Sequence, residues 1–201
     1  MNLSESETLS NLMRAFSGES QARNRYTFAA ENAEKEKLPC VGQVFLYTAG
    51  QEKEHAEIFF SYLKKAAQAD VRMDGAAYPV DLRADVLALL KDARDHEYKE
   101  YGTVYPAFAA KAREEGFPQI ARSFEQIAGI EKIHGDRFGD FADWMEQDRL
   151  FVSKISIGWI CLNCGYVHEG TAAPEICPVC SHERGYFIRM NFSPWLASEL
   201  S

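Results

Sequence analysis

Apolar and polar positions recur with a helical period over four long stretches of the chain. The first runs from Thr8 to about Lys37, with Ser and acidic residues in its opening turns. Leu38-Pro39 breaks it, and a second runs from about Val41 to Ala69. The segment Asp70 to Asp81 holds Gly75 and Pro79 and is too long for a tight hairpin, so it reads as a crossover. A third helical stretch extends from about Leu82 to Glu115, with Gly102 and Pro106 expected to bend it. Gly116 suits a helix C′ position and Pro118 a helix N1 position, which makes the turn into a fourth helix, about Pro118 to Gln147, short. Two short hairpins joined by one long connection predict a four-helix bundle. The pattern changes after Arg149. Residues 150–160 (LFVSKISIGWI) are β-branched and aromatic, and Gly, Pro and turn residues dominate the segment beyond them. This is expected to be a small module of strands and knuckles, too small for a core of its own and held by a metal. The expected division is 1–149 for the bundle and 150–201 for the module.

Length and charge narrow the partners. The 201 residues suit one domain plus a small module, and the net charge of −8 argues against nucleic acid or an anionic membrane as the main partner. No apolar run approaches a membrane span, and MNLSESETLSNLM has no basic region followed by an apolar one, so neither an anchor nor a signal peptide is expected. Four of the five cysteines form two CxxC pairs, which points to metal ligands in a reducing cytoplasm rather than disulfides.

The two halves of the bundle repeat each other. Glu52-Lys53-Glu54-His55 and Glu131-Lys132-Ile133-His134 lie 79 positions apart, and the same offset relates Tyr26 to Tyr105, Pro39 to Pro118, Phe45 to Phe124 and Phe59 to Phe138. A Glu and a His at i, i+3 share one helix face, so two such faces turned inward make a metal site. A dinuclear site in a bundle also needs carboxylates from the other two helices. Glu19, two turns before Tyr26, supplies one, while Glu97 and Glu100, eight and five residues before Tyr105, both qualify on the third helix. Carboxylates and imidazoles suit iron or manganese. Tyr26 and Tyr105 read equally as core residues of a helical interface and as neighbours of the ligands, their symmetric placement favouring the second as much as the first. Taken alone, an ExxH step is a common feature of solvated helix faces; the repeat in register is what lifts this pair above that reading.

Cys161, Cys164, Cys177 and Cys180 have the spacing C-x2-C-x12-C-x2-C, which directs four thiolates at one ion, with Gly165 allowing the tight turn. Zinc would only staple the module, whereas a single iron would carry one electron. His168 and His182 lie near the knuckles but are not needed as ligands, and unpaired Cys40, beside Pro39, is expected in the core.

The stretches GESQARNRY (18–26), QEKEHA (51–56), AREEGF (112–117) and CLNCGYVHEGTAAPEICPVC (161–180) resemble the rubrerythrin family over nearly the whole chain. The resemblance implies a mainly α, ferritin-like four-helix bundle with one long crossover, carrying a di-iron centre, and a C-terminal rubredoxin-like domain with one iron. By motif, Glu19, Glu52, Glu97, Glu100, Glu131, His55 and His134 correspond to the di-iron ligands, with Glu100 and His55 as the pair exchanged on reduction. The four cysteines correspond to the rubredoxin iron ligands. The implied activity is reduction of hydrogen peroxide in the cytoplasm, with electrons from NAD(P)H through a separate reductase or rubredoxin, since no GxGxxG stretch is present here. A head-to-tail homodimer, bringing one chain's module to its partner's iron pair, is expected. Ser181 departs from the Gly usual after the second CxxC, which bears on the amide hydrogen bonds to sulfur. A ferroxidase or iron-storage protein, and a zinc-stapled structural or sensor protein, are the competing readings.

Overall fold

In a computed structural model, residues 2–66 and 70–193 are described. The bundle consists of α1 (Glu7–Lys35), α2 (Pro39–Lys65), α3 (Val86–Lys99), a π-turn (Glu100–Val104), α4 (Tyr105–Glu114) and α5 (Pro118–Glu146). Helix α3, the π-turn and α4 run on as one long third helix, so the architecture is mainly helical with four bundle helices. The expected limits shift in three places. Helix α2 ends at Lys65, and 67–69 of its expected end lie outside the described residues. The third helix starts at Val86, not Leu82, because Asp85 caps it by accepting from Ala88 N at 2.8 Å while Glu36 accepts from Val86 N at 3.0 Å. The expected bend is a π-turn. Pro106 has no N–H to offer the Gly102 carbonyl, and the Tyr105 N–H bonds five residues back to Glu100 O.

Both hairpin turns close the same way. Lys37 (φ 60°) and Gly116 (φ 87°) are repeat mates in the left-handed region. In each, the next residue's N–H returns to a carbonyl five positions back at 2.8 Å, Leu38 to Ala33 and Phe117 to Ala112, after which Pro39 or Pro118 opens the next helix. The lysine costs about 1–2 kcal/mol that glycine does not.

The bundle core is split into two apolar clusters by a polar layer. One side holds Tyr26, Phe45 and Phe138, with centroids 5.0–6.0 Å apart; the other holds their repeat mates Tyr105, Phe124 and Phe59 at 5.1–5.9 Å. The module is a three-stranded antiparallel sheet in the order β2-β1-β3, from β1 (Val152–Cys161), β2 (Val167–Ala172) and β3 (Phe187–Arg189). It packs on one end of its own bundle. Ile188, Ile160, Leu162 and Phe192 join the first cluster, and Arg189 lies over Trp144 at 4.1 Å while donating to Arg149 O and Val152 O. Among the described residues no helix is long and apolar enough to cross a membrane.

Candidate metal centres

The polar layer between the two aromatic clusters is built from Glu19 on α1, Glu52 and His55 on α2, Glu97 on α3, and Glu131 and His134 on α5, all buried. Their donor atoms form two overlapping sets, Glu19–Glu52–His55–Glu131 and Glu52–Glu97–Glu131–His134, each lying within 4.8 Å. Glu52 and Glu131 belong to both, so each offers an oxygen to either set. His55 Nδ1 lies 3.1 Å from Glu131, 3.2 Å from Glu52 and 3.7 Å from Glu19. His134 Nδ1 lies 2.9 Å from Glu131, 2.8 Å from Glu52 and 3.7 Å from Glu97. The rings face each other at 5.6 Å and 16°. Tyr26 Oη donates to Glu97 and Tyr105 Oη to Glu19, a crossed pairing that obeys the repeat.

Without an ion this layer is unsatisfied. Glu19 Oε2, Glu52 Oε1, Glu97 Oε2, both oxygens of Glu131 and His134 Nδ1 are buried with no hydrogen bond, although several lie within 3 Å of one another, because their lone pairs converge instead of facing a donor. Burial pushes the Glu19 carboxyl up to about 8. For Glu52 burial acts the same way, but the adjacent imidazoles of His134 and His55 outweigh it and hold the group well below the usual range. Burial would lower His55 and His134, yet their carboxylate partners push them up to about 10 and about 11. Protons thus stand where cations fit. Four carboxylates also balance two dications with both imidazoles neutral, so the donor set fits an iron pair bridged by carboxylates.

Glu100 is placed apart. It is half-buried at the first position of the π-turn, outside both donor sets, at the wall of a cavity of about 700 Å³ that Gly18, Tyr78, His96 and Tyr105 also line. Burial first, then the negative charges of Glu19 and Glu97, raise its pKa well above normal. The π-turn accounts for the broken repeat. Glu19 precedes Tyr26 by seven residues and Glu97 precedes Tyr105 by eight; the wide turn absorbs the extra one, so Glu97 is Glu19's counterpart and Glu100 has none.

In the module Cys161 Sγ lies 3.7 Å from Cys180 Sγ, and Cys164 Sγ 3.7 Å from Cys177 Sγ, with no disulfide. A tetrahedron with metal–sulfur bonds of about 2.3 Å has edges of about 3.8 Å, so the four thiolates fit one ion. Gly165 (φ 78°) and Ser181 (φ 61°) close the two knuckles alike, donating to Cys161 O at 2.8 Å and Cys177 O at 2.9 Å. Ser181 therefore closes its turn with the same backbone form as Gly165. Burial pushes Cys161 up to about 12, whereas the His182 amide brings half-exposed Cys180 down to about 6. His168 sits on β2 opposite Trp159, and His182 Nδ1 lies 3.1 Å from Cys180 O; neither joins the thiolates. Cys40 is in the bundle core.

Helical hairpins closed on a carboxylate–imidazole layer, with a tetrathiolate module at one end, define a ferritin-like iron protein with a rubredoxin-type second centre. A family model for rubrerythrin matches residues 10–142, and one for the rubrerythrin rubredoxin-like domain matches 159–188. The chain is 44% identical to rubrerythrin of Nitratidesulfovibrio vulgaris over 92% of its own length and 95% of the relative's, and 42% identical to rubrerythrin of Clostridium perfringens with the same coverage. It belongs to the rubrerythrin family. Fully reduced, all-ferrous nigerythrin superposes with a TM-score of 0.61 at 25% identity, covering 92% of this chain and 90% of that one. Symerythrin from Cyanophora paradoxa shares the fold, with a TM-score of 0.56 at 22% identity over 66% of this chain and 81% of that one.

Side chains that the sequence pattern did not single out also meet the layer. Arg25, beside Tyr26, joins Asp81 of the crossover at 3.2 Å to His96 of α3 at 3.0 Å. Gln51 approaches His134, and Arg137 donates to Gln51. Only Gln51 had a signal, as the polar member of a repeat pair whose mate is Ile130.

Proposed function

We propose that this protein reduces hydrogen peroxide to water, H2O2 + 2 e⁻ + 2 H⁺ → 2 H2O, with electrons delivered through the four-cysteine iron from an NAD(P)H-linked reductase or a rubredoxin. The observation that carries this reading is a one-electron-capable thiolate site in the same chain as the carboxylate–imidazole layer, with Cys164 exposed and Cys180 half-exposed toward a donor. An iron-storage cage has no use for it. When bound, the iron pair supplies the two electrons that break the O–O bond, and the thiolate iron restores them singly.

The chain's own groups manage position and protons. Glu19, Glu52, Glu97, Glu131, His55 and His134 would hold the iron pair, with Glu100 as a further ligand alternative to His55. Burial and the negative charges of Glu19 and Glu97 raise the pKa of Glu100, which favours a proton on its carboxyl at the cavity wall, where it can serve the departing oxygen. Tyr26 and Tyr105, whose own pKa values burial raises well above normal, stay protonated and hold Glu97 and Glu19 in place. The reading includes functional units at 1–149 and 150–201, a cytoplasmic setting that keeps the thiols reduced, and a head-to-tail homodimer that sets each module against the partner's iron pair. Rapid mixing of the reduced, iron-loaded protein with H2O2 and with O2 tests it. Oxidation is expected to be much faster with H2O2; a faster reaction with O2 would establish the ferroxidase reading instead.

A further inference from the structure

The two histidines of the layer are repeat mates, yet their outer nitrogens are held differently. His134 Nε2 lies 3.1 Å from Gln51 Oε1, and the same oxygen accepts from Arg137 Nη1 at 3.1 Å. Arg137 Nη1 also donates to Thr48 Oγ1 at 2.8 Å, and its guanidinium lies over Tyr47 at 5.2 Å. Thr48 Oγ1 in turn donates to Val44 O at 3.0 Å, so the arginine is fixed along α2. On the other half, the positions matching Gln51 and Arg137 are Ile130 and Ile58, which cannot hydrogen-bond through their side chains. Among the described residues none bonds His55 Nε2.

A guanidinium only donates. Arg137 therefore fixes which end of the Gln51 amide faces inward, and the oxygen so presented can be approached by His134 only through an Nε2–H. With the proton on Nε2, the lone pair of Nδ1 is free to meet an ion. We infer that Gln51 and Arg137 are positioning residues that lock His134 as the immobile imidazole of the layer and leave His55 as the one able to move. The inference rests on the di-iron reading of the layer. The positive Arg137 also polarises the Gln51 carbonyl, which strengthens its pull on Nε2–H and makes Nδ1 a better donor to metal.

The full-length, metal-stripped protein titrated anaerobically with ferrous iron tests this by calorimetry. Beyond the cysteine site the wild type is expected to bind two ions. Gln51→Leu should weaken one of them about 10–100-fold and spare the other. Arg137→Met should weaken the same ion, because the amide is then free to turn. Gln51→Glu keeps an acceptor for both partners and should retain the affinity. In the zinc-loaded, diamagnetic protein, long-range proton–nitrogen NMR should find the His134 proton on Nε2 and Nδ1 bound to metal in the wild type and in Gln51→Glu. Equal weakening of both ions, unchanged binding in Gln51→Leu, or a Gln51→Glu variant as impaired as Gln51→Leu overturns the inference. A wild type that binds no pair of ions refutes the di-iron reading itself.

Discussion

Stripping the metal from the bundle should make its stability fall with rising pH. In the metal-free layer Glu19 is raised from 4.5 to about 8, and His55 and His134 from 6.5 to about 10 and about 11. Each of these groups binds its proton more tightly when folded than when unfolded. The stability each contributes is complete below its unfolded pKa and drains away as pH climbs through its folded one. The windows are 4.5 to about 8 for Glu19, 6.5 to about 10 for His55 and 6.5 to about 11 for His134. Each proton so retained makes stability fall by about 1.4 kcal/mol per pH unit. The three windows overlap between 6.5 and about 8. The slope there is about 1.4 kcal/mol per unit for one net proton and about 4 kcal/mol if these three act together, and Glu131 and Glu100, also raised by burial, act in the same direction. A domain stable by about 5–15 kcal/mol is loosened by one or two such units. Glu52, held low, runs the opposite way, but its contribution is lost only as pH falls below 4.5, outside this range. Bound iron replaces the protons, and because ligands must be deprotonated its affinity rises with pH. Thermal unfolding of chelator-stripped and iron-reconstituted protein from about pH 6 to about pH 8 reads the difference. At the one-proton limit the stripped Tm should drop by roughly 3–6 °C per unit while the loaded Tm holds or rises. A stripped Tm that is flat or increasing over this range would falsify the account of the layer as a proton-filled metal site.

Glu100→Gln should leave two ferrous ions bound to the bundle by calorimetry and lower peroxide turnover at least about 10²-fold, since it removes the proton carrier; unchanged turnover would remove Glu100 from the chemistry. Tyr105→Phe strips Glu19 of its hydrogen bond inside the core and should cost the metal-free protein about 1–3 kcal/mol in denaturant unfolding. By the repeat, Tyr26→Phe should cost a similar amount through Glu97, and a difference of several-fold would break the symmetry argument. Gly185→Ala drives a Cβ into the backbone oxygen of Lys37, which cannot rotate aside. It should destabilise by at least about 1–3 kcal/mol and expose the link at 147–151 to protease, with the thiolate-to-iron absorption retained; wild-type protease resistance would show that the module does not rest on this turn.

Much of the site was legible in one sequence because its chemistry is local. A Glu and a His three apart on a helix must share a face, a CxxC knuckle must turn both thiolates to one side, and a 79-residue offset that carries Tyr, Phe and Pro along with the ligands can only be a repeated hairpin. The fold followed from the same logic, since Pro39 and Pro118 mark where each hairpin turns. Helix limits were less legible. The start at Val86 depends on Asp85 and on Glu36 from another helix, a contact that no local pattern contains.

What the sequence by itself determined is the inventory: six candidate ligands at helical spacing, four thiolates, and one carboxylate too many for a symmetric cage. The tertiary structure decided how that excess is used. A missing N–H at Pro106 widens one turn, returns Glu97 to the register of Glu19, and sets Glu100 at the cavity wall instead of within the donor sets. It also decided that His134 is tied through Gln51 to Arg137, 86 residues apart in the chain, while His55 is not. Periodicity specifies which face a residue occupies; which groups meet across the bundle depends on how four helices pack, and that is where two matching histidines become unequal.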